Sequence, residues 1–227
     1  MITKNNKKVG CSTFNIPPGK EVCKGICTPL CAEFCYGNQG YLSAPSIQNS
    51  WNSNFAATKE DNFVQDLINN IRENSINEYF RWLSFGELYD IDFLKNVQEV
   101  ICNTSNKHLI FTKSWIKYHP TRFKEFYQDN SEIIMSMFPD SKFNMMNDFQ
   151  RYYYSPRIGF AGEPWYYPVE WQERIAGAFH CPGYCPDCRY CWNGKGDVRI
   201  TIHPPHFKKR IEKILNERGI YNGNDNS

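Results

Sequence analysis

Apolar residues recur at Phe63, Val64, Leu67, Ile68 and Ile71, the single stripe of an amphipathic helix, which the spacing places over Asp61–Asn74. Thr58, with Asp61 three residues on, reads as its capping box. Tyr79–Ser84 is short, aromatic and followed by Gly86, which predicts a strand running into a turn. A second helix opens at Asp92 with Phe93, Leu94, Val97, Val100 and Ile101 on one face, and His108–Thr112 follows as another strand. Helices alternating with strands at this interval predict an α/β domain with parallel pairing through right-handed crossovers. Beyond Lys117 the pattern weakens. Thr121–Asn130 reads as helical, Ile133–Phe138 fits either period, and Gln150–Pro168 gives no assignment. Val198–His203 alternates like a strand, and His206–Arg218 reads as a basic helix. Residues 1–10 and 219–227 are polar and aperiodic, so both ends are expected to be mobile.

The chain has 227 residues, 41% of them hydrophobic, and a mean hydropathy of −0.61. No run approaches the roughly 20 apolar residues that span a bilayer, and the first twenty lack the apolar block of a secretory signal. A membrane protein is excluded on this pattern and the cytoplasm is the expected location. Lys plus Arg number 26 against 24 Asp plus Glu, so no global field recommends nucleic acid. Lys208, Lys209, Arg210, Lys213 and Arg218 are interrupted by Glu212 and Glu217. A solvated helix face is the first reading of that stretch, with local nucleic-acid contact the weaker one.

The ten cysteines change the picture, because eight fall in two runs: Cys23, Cys27, Cys31 and Cys35, then Cys181, Cys185, Cys188 and Cys191. A disulfide scaffold spreads its cysteines along the chain, whereas a reducing compartment favours thiolates that hold metal. The second run has x3, x2 and x2 spacing. Such closeness suits a [4Fe–4S] cubane better than mononuclear zinc, whose ligands usually come in two separated pairs; zinc stays open as the alternative. The first run has uniform x3 spacing, which would stack thiols on a helix face, yet Pro29 argues that part of it is loop. A zinc site, a buried cysteine stripe and a cluster held by three of the four thiols all fit. Cys11 and Cys102 read as small buried apolar residues. His180, His203 and His206 are weaker candidate ligands. Lys113, at a strand end, is a candidate contact for a carboxylate or phosphate.

The order Thr13-Phe-Asn-Ile-Pro-Pro-Gly19, Cys23, then Thr28-Pro-Leu-Cys31-Ala-Glu-Phe-Cys35-Tyr36 resembles the opening of the gene product 88 family of phages and plasmids. Arg81-Trp-Leu-Ser-Phe-Gly86-Glu87, Phe111-Thr-Lys113-Ser and the closing cysteine run continue the likeness. The family's layout is in turn similar to radical S-adenosylmethionine proteins. That resemblance implies an incomplete βα barrel with a cysteine-rich C-terminal loop, and a first cluster held by Cys23, Cys31 and Cys35. It also implies a Gly86-Glu87 turn whose carboxylate receives the ammonium of S-adenosylmethionine. Phe34 precedes Cys35 as the radical pattern asks, but the x3 spacing before Cys35 and the extra thiol of Cys27 depart from it.

The expected organisation is therefore a mobile residue 1–10 arm, a barrel-like domain over 11–180 with the cysteine loop 23–35, a cysteine cluster at 181–192, and a strand, basic helix and tail over 193–227. The expected function is that of an iron–sulfur protein with one or two [4Fe–4S] clusters, S-adenosylmethionine, an electron donor and an unidentified substrate. The alternative is a non-catalytic protein with structural metal that meets nucleic acid or a host protein.

Overall fold

The computed structural model describes residues 1–19, 21–35, 37, 40–126, 129–141, 157–201, 206–217 and 219. Eight strands form one sheet: β1 (Thr3–Asn6), β2 (Cys11–Phe14), β3 (Tyr79–Trp82), β4 (Lys107–Thr112), β5 (Ser131–Met137), β6 (Arg157–Ala161), β7 (Phe179–His180) and β8 (Val198–Ile200). Their spatial order is β1-β2-β3-β4-β5-β6-β8-β7. Among the described strands the β1–β2 pair is antiparallel and every other neighbouring pair is parallel. The helices are α1 (Pro29–Glu33), α2 (Pro45–Ala57), α3 (Phe63–Asn74), α4 (Ile91–Cys102), α5 (Val169–Ala176), α6 (Cys185–Cys188) and α7 (His206–Glu217). Among the described residues, no helix is long and apolar enough to cross a membrane.

Alternation along the strands sends side chains to two faces. Phe80, Trp82, Ile110, Ile133, Met135, Ile158 and Phe160 belong to the main core together with Phe63, Leu67, Ile71, Phe93, Leu94 and Val97 of α3 and α4. Cys11, Leu109, Ile134, Trp192 and Val198 form a smaller cluster on the other face, with Tyr79, Phe111, Cys181, Cys185 and Cys191 packed against it. His108 is held on the core face. Its Nδ1 accepts from Trp82 Nε1 at 3.0 Å and its Nε2 lies 2.8 Å from Thr104 Oγ1. Thr104 already gives its proton to Val100 O, so Nε2 carries the ring proton and donates.

Four expectations differ from what the fold contains. The arm over residues 1–10 carries β1, a strand built on backbone pairing with β2 rather than on an apolar stripe. Thr58 is not an N-cap: its Oγ1 donates to Phe55 O and closes α2, while α3 starts after Asn62 without a side-chain cap. The helix expected over Thr121–Asn130 is a 3-10 segment, Pro120–Phe126, with residues 127 and 128 outside the described set. Cys102 is exposed, not buried. The unassigned stretch up to residue 156, His203, Arg218 and the tail over 220–227 also fall outside the described residues.

Candidate functional site

The first cysteine run lines a cavity together with residues of β3, β4, β5 and β6. Cys27 N donates to Cys23 O at 3.0 Å, closing a turn through Gly25 at φ +73° that brings these two residues together. Val22, Ile26 and Leu30 are buried and anchor the loop from behind. Thr28 caps α1 by accepting from Cys31 N at 3.2 Å, and Asp140 Oδ2 accepts from Leu30 N at 2.8 Å. These bonds satisfy the amides freed at a helix start that carries Pro29 in its first turn.

The outcome is a row of three sulfurs. The Cys27 thiol lies in hydrogen-bond contact with both Cys23 and Cys31. Hydrogen bonding from it draws the Cys23 thiol down to about 7 against the pull of burial, and draws Cys31 down likewise. The same contacts push Cys27 far up, with burial adding to them. Cys35 lines the same cavity as the other three, a space of about 340 Å³ that also meets Arg81, Gly86, Glu87, Phe111 and Lys113. The loop brings Cys27 into contact with both Cys23 and Cys31, whereas the radical pattern expects Cys23, Cys31 and Cys35.

The Gly86-Glu87 turn sits opposite. Leu83 closes the β2–β3 ladder by donating to Phe14 O at 2.8 Å while adopting φ +48°, a left-handed conformation that costs an aliphatic residue about 1 kcal/mol or more. Gly86 follows at φ +85°, where a Cβ would lie 2.4 Å from Ile16 Cγ1 and 2.8 Å from Ile16 O; only glycine fits this approach. The turn delivers Glu87, 4% exposed, to a set of donors. Its Oε2 accepts from Thr112 Oγ1 at 2.7 Å and from Ser114 Oγ at 3.3 Å, and Lys113 donates from both N and Nζ. Burial works against the Lys113 ammonium, but Cys31, Glu87 and Cys27 together raise its pKa above the ordinary value. The carboxylate expected to receive a ligand's ammonium thus already receives a lysine's.

The second run lies at the opposite end of the same sheet face, where the strands begin. Cys185 N donates to Lys8 O and Cys181 N to Arg199 O. Arg189, left-handed at φ +48°, donates to Val9 O and Gly10 O at 3.1 and 2.9 Å. Trp192 packs edge-on against Tyr79 at 5.6 Å. Burial raises the Cys191 thiol to about 12, against the nearby Arg81 and Arg157 guanidinium groups. Burial raises Cys11 to about 11 in the same surroundings, beside Arg81, Arg189 and Cys185. Cys11 therefore belongs to this group, a neighbour that its position far off in sequence did not signal. His180 contacts Thr201 Oγ1 at 2.8 Å, and the side chain of His206 lies outside the described set.

Among the described residues no group of three or more His, Cys, Asp or Glu side chains is arranged to hold a metal ion; the cysteines are neighbours rather than a closed coordination shell. The chemistry of the donors is nevertheless selective. All-sulfur sets suit zinc or iron–sulfur clusters and reject hard cations such as magnesium. At the C-terminal group the Trp192 indole Nε1 and Arg157 Nη2 are buried without a hydrogen-bond partner. Donors of this kind stabilise the sulfurs of a bound thiolate cluster, so the residues fit a metal–thiolate group there. The sequence model of the family described as "Gene product 88" matches residues 2–143. No curated protein and no solved structure matches the chain.

Proposed function

Since the chain belongs to the gene product 88 family, we propose that it is an iron–sulfur protein of phage or plasmid type, built on an incomplete βα barrel like that of radical S-adenosylmethionine proteins. The observation that supports this most is the placement of two all-thiol groups at opposite ends of one sheet face, the first over a cavity. That cavity opens at the C-terminal ends of parallel strands, where βα proteins bind their ligands. Cys23, Cys31 and Cys35 supply the ligands of the first cluster, with Cys27 beside them as the extra thiol, and Cys181, Cys185, Cys188 and Cys191 supply those of an auxiliary one. A cubane held by those three thiolates would leave one iron open to the amine and carboxylate of S-adenosylmethionine and would supply the electron for its cleavage.

The chain's own residues define what such a ligand meets. Glu87 is the acceptor for its ammonium, and Lys113, 3.3 Å away, must release one carboxylate oxygen for that contact to form. An external electron donor and the reducing host cytoplasm follow from the chemistry. Two observations favour a second reading, a closed four-thiolate site of structural type on a protein that meets nucleic acid or a host protein: Cys27 stands between Cys23 and Cys31, and Lys113 already fills Glu87.

The two readings separate in Cys27→Ala. An open-iron site keeps its iron in this variant, and S-adenosylmethionine perturbs the electron paramagnetic resonance spectrum of the reduced cluster. Loss of that cluster, with a parent spectrum indifferent to S-adenosylmethionine, rejects the open iron in favour of the closed site.

A further inference from the structure

The floor of the cavity holds a cation that no carboxylate among the described residues neutralises. Arg81 on β3 lines the space beneath the first cysteine group, with its guanidinium 4.2 Å above the ring of Phe111. The thiols of Cys191, Cys185, Cys11 and Cys181 stand near it, but among the described residues it meets no carboxylate and donates no hydrogen bond, and its Nε is buried without a partner. Three other arginines of the fold each meet a carboxylate. Arg157 pairs with Glu132, Arg174 with Asp197 and Arg199 with Glu163. A buried guanidinium with no carboxylate partner is costly, and an anion entering the cavity would offset that cost.

A second orphan stands beside it on the cavity wall. Ser84 Oγ is buried and unpartnered, and the residue lies directly after the left-handed Leu83. Of the described charged residues lining the cavity, Lys8, Arg81 and Lys113 are cationic and Glu87 is the single acid, and Glu87 is bound to Lys113. The remaining wall is largely apolar, with Phe85, Phe111, Met137 and Phe138. A volume near 340 Å³ falls in the range of small-molecule sites.

We infer that this cavity takes a small molecule bearing an oxyanion on an apolar body, its charge received by Arg81 and Ser84 and its body resting on Phe111 and Phe138. A guanidinium fork suits carboxylate and phosphate oxygens, and the ring under it fixes its plane. This gives the substrate class of the site proposed above and rests on that reading for its catalytic meaning, although the binding itself needs no metal.

Four probes separate the chemistry by calorimetry: benzoate, phenylphosphonate, benzyl alcohol and benzylamine. The expected result is saturable binding of benzoate or phenylphosphonate, with Kd on the order of 1 mM for so small a fragment, and no detectable binding of the alcohol or amine. Whichever anion binds tells carboxylate from phosphoryl ligands. Arg81→Gln should weaken that binding at least about tenfold and Ser84→Ala several-fold, as removing hydrogen bonds to a charged group does. Arg81→Lys, which keeps the charge, should recover part of it and guards against a folding artefact. The titrations are run on the protein as purified and again after iron loading, with iron content measured in each variant. A protein that takes no iron but binds the anions rejects the iron–sulfur reading and keeps this one. Equal binding of benzoate and benzyl alcohol, no saturable binding by the parent, or unchanged binding in Arg81→Gln overturns it. So does an Arg81→Gln variant that loses C-terminal iron and keeps anion binding, which would assign the guanidinium to the second cysteine group.

Discussion

Lys113 Nζ lies 3.3 Å from Glu87 Oε1 beneath the first cysteine loop, with the two side chains 17% and 6% exposed. The carboxylate is also bonded to Thr112 and Ser114, so it is the hub that joins the β3 turn to the end of β4. Glu87→Ala leaves a buried ammonium unmatched, and should cost about 3–5 kcal/mol in urea unfolding. Adding Lys113→Met to that variant should recover part of the loss, because the uncompensated charge goes with it. A double variant as unstable as the sum of the two singles would show that the pair is not coupled.

His108 makes stability depend on pH. Burial lowers its pKa to about 3 from the ordinary 6.5, and its ring is fixed neutral between Trp82 and Thr104. Between those two values the unfolded chain binds a proton that the folded chain refuses, so stability rises with pH. The contribution is fully present above pH 6.5 and is lost as pH falls toward about 3, at up to about 1.4 kcal/mol per pH unit. Chemical denaturation of the parent and of His108→Gln across this window should show the slope reduced in the variant. Parallel curves would remove His108 from the account.

Docking of the second cysteine group depends on Gly10. At φ +67°, a Cβ there would stand 2.6 Å from Pro186 Cγ and 3.1 Å from Arg189 Nη2. Gly10→Ala should therefore loosen the 185–189 segment and lower metal retention at that group, leaving the first group intact. Cys188→Ser tests the same group directly: it should lower Tm and about halve the bound metal, since site occupancy and folding are linked. Cys102→Ser, at an exposed position, should change neither. Full metal and stability in Cys188→Ser would remove that cysteine from the ligand set.

Where the sequence pattern was legible, one face of an element was buried and the other wet. This holds for α3 and α4, whose stripes match their buried residues, and for β3, where Phe80 and Trp82 are buried and Tyr79 and Arg81 are not. It fails for β5, where Ile133, Ile134 and Met135 are all buried, because burial on both faces erases the period of two. It fails again for α2, where only Trp51 and Asn54 are buried, and for β1, which has no buried residue. Of the site, the cysteine runs and the Gly86-Glu87 turn could be read from spacing and likeness. Arg81, Ser84 and Cys11 could not, since their meaning comes from strand neighbours and loops distant in the chain.

The most direct test of the central claim is iron, zinc and acid-labile sulfide analysis of protein purified and reconstituted without oxygen. The iron–sulfur account predicts a brown protein with about eight irons and as many sulfides per chain if both cysteine groups hold cubanes, or about four if one does. A colourless protein carrying stoichiometric zinc and no sulfide after the same treatment would contradict it.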